Sequence, residues 1–138
     1  MAKTFTAPFA QTPKTVTAVV TTAIASLNGD SPTNTVALLT AGSDGCIVTR
    51  IWAMPRATVT ASRLDIWKSA DAGTTKRLMD SALMAAYTVA ATTAIPKTLF
   101  SAYSEDTPLR LAAGYQLYVG TAVTLSDGIV FYAEYTDF

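Results

Sequence analysis

The chain has 138 residues, half of them hydrophobic and 14% charged, with ten basic side chains balancing ten acidic ones. It contains no histidine and one cysteine, Cys46. This composition suits one domain with a real core, excludes any Ser-His-Asp or Cys-His centre, and removes the commonest transition-metal ligands.

Residues 1–13 (MAKTFTAPFAQTP) show no periodicity. Pro8 and Pro13 discourage both helix and central strand, so an extended N-terminal arm is expected, with the domain proper over 14–138. Residues 15–27 (TVTAVVTTAIASL) are too Thr-rich for the apolar region of a signal peptide. Within them Thr15–Thr21 reads as a strand, since β-branched side chains suit a pleated surface. Asn28-Gly29 and Ser31-Pro32 form a loop, and residues 35–41 a short strand. Asp44-Gly45 turns the chain into Cys46–Met54, which is apolar on both faces and therefore expected to lie centrally, with Pro55 ending it. Cys46 reads as a small buried hydrophobe.

Residues 58–68 alternate, with Leu64 and Ile66 on one face and Arg63, Asp65 and Trp67 on the other. A tryptophan opposite the apolar face is expected at an interface, so Trp67 is a candidate partner-binding residue. Asp71 and Gly73 mark a hairpin tip, and 75–84 returns as a strand in preference to a helix over 78–87. Ser104–Pro108 is a polar loop. Tyr115, Leu117, Val119 and Val123 share one face. After Asp127-Gly128, Ile129, Phe131, Ala133 and Tyr135 share one face of a return strand. Roughly eight to ten short strands at this spacing imply an all-β fold, a single-domain antiparallel β-sandwich or jelly roll.

Little in the chain carries chemistry. Asp65, Glu105, Asp106 and Glu134 are the candidate carboxylates, since the remaining acids mostly sit in turns, and a glycosidase would need two of them paired. A solvated loop tip explains Glu105-Asp106, and a surface face explains Glu134. The Gly-containing turns lack the spacing of a phosphate loop, and no stretch matches a calcium-binding loop. Arg50, Arg56 and Arg63 are scattered and form no stripe for nucleic acid. No apolar window reaches membrane-spanning length. Trp52, Trp67, Tyr87, Tyr103, Tyr115, Tyr118 and Tyr132 are the aromatics that a sugar-binding face would use.

Two stretches carry a resemblance. Ala61–Thr75 (ASRLDIWKSADAGTT) is one; Leu109–Val119 (LRLAAGYQLYV), closing with Phe131–Phe138 (FYAEYTDF), is the other. Both resemble the small β-rich structural proteins that tailed bacteriophages encode near their major capsid genes, the capsid decoration or cement proteins. The resemblance implies no catalytic residues and no cofactor. It implies a virion protein made in the host cytoplasm and clamped as a trimer on the capsid exterior, with the major capsid protein as partner and no nucleic acid or membrane. A tail, collar or fibre component is the alternative, and a carbohydrate-binding module a more distant one. Phe5 and Phe9 are expected to anchor the arm on a partner, with Pro8 holding it extended; an arm folded back on its own domain is the alternative.

Overall fold

The computed structural model describes residues 12–24, 26–27 and 29–138. Nine strands form two antiparallel sheets packed as a β-sandwich, with no helix among the described residues. The strands are β1 (Thr12–Val20), β2 (Val36–Thr40), β3 (Cys46–Pro55), β4 (Ser62–Ser69), β5 (Arg77–Met84), β6 (Thr98–Leu99), β7 (Leu109–Leu111), β8 (Gln116–Thr121) and β9 (Ile129–Asp137). One sheet runs β1-β9-β3-β6, with β7 also pairing β3; the other runs β2-β8-β4-β5. β1 lies near β2 at one flank, and β6 near β5 at the other.

The first strand starts at Thr12, two residues before the expected boundary of the arm. Pro13 stands opposite Thr136 in the β1–β9 ladder. A proline is tolerated there because β1 is an edge strand and needs no donor on its outer side. Val16, Ala18 and Val20 face the core across from Ala133, Phe131 and Ile129.

β3 is internal, as its two-sided apolar run implies. A bulge between Val48 and Arg50 leaves Thr49 out of the register. That extra residue shifts the alternation by one. Cys46 and Val48 point inward before it, Ile51 and Ala53 after it, and Arg50, Trp52 and Met54 face out. β4 and β5 form the hairpin expected around Asp71–Gly73. The Asp71 carboxylate accepts from Thr75 N–H at 2.8 Å and from the Ser69 hydroxyl at 2.9 Å, which fixes the tip and holds the Asp71 carboxyl below its ordinary range.

The last two strands correct the simplest reading of their alternation. β8 and β9 do not pair with each other: β8 lies between β2 and β4, whereas β9 lies between β1 and β3. The Asp127-Gly128 turn carries the chain from one sheet to the other. The inward faces are nevertheless the expected ones, except that Val123 lies beyond β8 and is exposed.

Candidate functional site

Trp67 is the sequence-predicted site residue that the structure relocates. It stands on the outer face of its sheet with Asp65, as alternation requires, yet it is only 1% exposed and Asp65 is fully buried. The reason is the connection from β1 to β2, which passes over this face. Ile24 donates its N–H to Thr121 O at 2.9 Å, and its side chain lies over Gly120 beside the Trp67 ring. Lys76 N–H bonds Asp30 O at 2.6 Å, Lys76 Nζ bonds Thr35 Oγ1 at 2.9 Å, and Arg77 pairs with Asp30. Trp67 is therefore a packing residue under a strap, not an exposed interface side chain. Gly120 leaves the space that Ile24 and Trp67 fill. Phe5, Pro8 and Phe9, the other predicted partner-binding residues, lie outside the described residues.

The candidate carboxylates separate. Asp65 accepts both its close contacts from Arg63 Nε, at 2.8 and 3.1 Å. Burial pushes its carboxyl up, and the Arg63 charge opposes this. Glu105 and Glu134 come together with Arg50 on a groove of about 400 Å³ at the edge of the other sheet. The groove opens where the partner of β3 changes from β7 to β6, between Thr49–Ile51 and Leu99–Glu105. Asp106 is not among its lining residues. The carboxyl raised by burial thus sits on one sheet, and the groove lined by Glu105 and Glu134 beside the other.

Beside this groove Trp52 stacks on Tyr132, with ring centroids 5.0 Å apart and planes 5° from parallel. Arg50 and Lys97 stand over the Trp52 ring at 5.0 and 5.5 Å from its centroid. Cations over an aromatic face are attracted by its quadrupole. Trp52 is left 8% exposed. Tyr118 lies on the outer face of the opposite sheet, bonding Gln116 Oε1 at 2.6 Å beneath Lys76. The aromatics expected of a sugar-binding face thus do not gather: Trp52 and Tyr132 stand on one sheet, Trp67 and Tyr118 on the other, and both tryptophans are covered. Arg50 and Arg63 stand on opposite sheets, and Arg56 follows β3 in a turn. Among the described residues no group of three or more His, Cys, Asp or Glu gathers to hold a metal.

No protein family matches the chain. No curated protein and no solved structure is significantly similar to it.

Cys46 is fully buried at the start of β3. Burial, and then the nearby Asp137 charge, push its thiol up to about 11 from an ordinary 9.0. A thiolate is the reactive form, so this side chain is inert in the folded protein. The shift also predicts alkaline lability. The unfolded thiol loses its proton at the lower pH, so stability is lost as pH rises from 9 toward 11. The expected loss is about 2–3 kcal/mol. Urea midpoints measured across that range should fall, and Cys46→Ala should reduce the slope while a slope from Tyr103, raised to about 12, remains.

Proposed function

We propose that the chain is a non-enzymatic structural virion protein that binds and reinforces the outer surface of a phage capsid. It acts as a homo-oligomer, a trimer favoured, with the major capsid protein as its partner. The two stretches that resemble decoration proteins supply β4, the β4–β5 tip, β7, β8 and β9, so the likeness spans both sheets. The observation that carries the reading is at the other end of the chain. Among the described residues, β1 is bound into its sheet from Thr12 onward, and the two sheets enclose a core of described residues. Phe5 and Phe9 precede this strand in the sequence and are the apolar anchors that the reading assigns to a partner.

Burying one phenylalanine contributes roughly 1.5–3 kcal/mol, so two anchors offset a large part of the cost of association. Several arms in one oligomer multiply the effect through effective concentration. Deleting residues 2–11 is expected to reduce occupancy of capsids by at least about tenfold, read by co-sedimentation with particles lacking the chain. Unchanged occupancy by a folded truncated domain removes the arm from the mechanism. Recovery of the full chain in tail fractions instead moves it to the tail, collar or fibre role.

A further inference from the structure

The four-stranded sheet ends in an uncovered strand. β5 pairs with β4 on one side, and none of the described residues pairs with it on the other. Its outer face presents Leu78, 45% exposed, and Leu83, 73% exposed. An open apolar edge is a ready template for another strand. The bulge opposite Ile66–Trp67 sets the spacing of the two leucines. Leu78 stands opposite Trp67 and Leu83 opposite Arg63, so they share one face four ladder steps apart, about 13 Å.

The same spacing recurs in residues 1–11, which lie outside the described residues but whose order is plain in the sequence. Phe5 and Phe9 are four residues apart and would share one face of an extended strand. Lys3 is the one charged side chain in this stretch. The backbone phase also agrees. Ser81 N–H bonds the Asp80 carboxylate at 2.8 Å, so it points away from β4. Leu83, two residues on, points its N–H and C=O the same way. A strand added with Phe5 and Phe9 in phase with that edge turns the Pro8 nitrogen outward, where a missing donor leaves no ladder bond unmade.

We propose that residues 2–11 of one copy add antiparallel to the β5 edge of a second copy, placing Phe5 against Leu83 and Phe9 against Leu78. Reach decides between copies. Phe9 is three residues from Thr12, a span of at most about 11 Å. Its own β5 is on the opposite flank and in the other sheet. Three strand spacings and the gap between sheets make that about 17 Å in a straight line through the domain. Such an arm-to-edge contact is head-to-tail, and where the rotation between successive copies closes, it makes a ring, of which a trimer is one. The inference rests on the arm-mediated oligomer proposed above and is independent of the capsid.

The test mixes a Phe5→Cys chain with a Leu83→Cys chain under mild oxidation. A covalent dimer containing one of each is expected, and none when Val19→Cys, exposed on β1 at the opposite edge of the other sheet, replaces Leu83→Cys. In a second arm, Leu83→Asp is expected to weaken self-association at least tenfold in sedimentation equilibrium, with an unchanged thermal midpoint. Absence of the mixed dimer where the unmodified chain is oligomeric overturns the inference, as does undiminished association of Leu83→Asp. If deleting residues 2–11 abolishes association while Leu83→Asp does not, the arm docks elsewhere, and only the oligomer reading survives. A full-length chain that stays monomeric overturns both.

Discussion

Trp67→Ala is expected to lower the unfolding free energy by about 3–5 kcal/mol, the range for deleting a buried large aromatic. The side chain is 1% exposed, packed on the outer face of β4 beneath Ile24 and beside Gly120. Truncation leaves a cavity between the strap and the sheet. It also admits water to Asp65, whose carboxyl lies on the same face and is fully buried. Had Trp67 been an exposed contact residue, its loss would change stability by no more than about 0.5 kcal/mol and would act on assembly. Urea denaturation of the isolated protein separates the two: a shift in midpoint at constant slope marks packing, and an unchanged midpoint contradicts the burial described here.

Gly45→Ala is the second large effect, expected at about 3 kcal/mol. Gly45 links β2 in one sheet to β3 in the other at φ +87°, a left-handed conformation. A Cβ there would meet the Leu111 carbonyl oxygen at 2.5 Å. That oxygen belongs to β7, which is held against β3 opposite Cys46, so it cannot swing aside as a flexible side chain would. Gly114 supplies the control. Its φ is +74°, but nothing lies within 4 Å of a Cβ added to it. Gly114→Ala therefore carries only the backbone strain, about 1–2 kcal/mol. Thermal melts of the two variants should differ by the cost of the clash. Equal destabilisation would show that the Gly45 crossing has room that its geometry denies.

Most individual strands were legible, and the reasons are local. β-branched runs and two-residue alternation fall where β1, β4, β8 and β9 form, and the Asp71–Gly73 tip joins a true hairpin. The inward faces of β4 and β9 were read correctly because side chains alternate whatever the strand pairs with. Pairing is different. Asp127-Gly128 looks like a hairpin turn, yet it connects strands of different sheets, because β9 finds its partners in β1 and β3 far along the sequence. The Thr49 bulge is equally silent in the sequence. Without it, Arg50 and Trp52 would share a face with Cys46 and Val48; with it, they stand outside, beside Tyr132 and the groove that brings Glu105 and Glu134 together.

The class of fold, the buried character of Cys46 and β3, and the lack of histidine-dependent chemistry are legible from residue types alone. These follow from composition and from a period of two along each strand. Which strands pair, which edge stays open among the described residues and which outward residues stay covered depend on contacts between distant segments. Trp67 is the clearest case: alternation placed it on the outer face, but exposure depends on what lies above that face. Here a segment some forty residues earlier, with Ile24 over Gly120, covers it. Leu78 and Leu83 occupy the same face and remain in solvent, because burial is a property of neighbours in space and not of position along a strand.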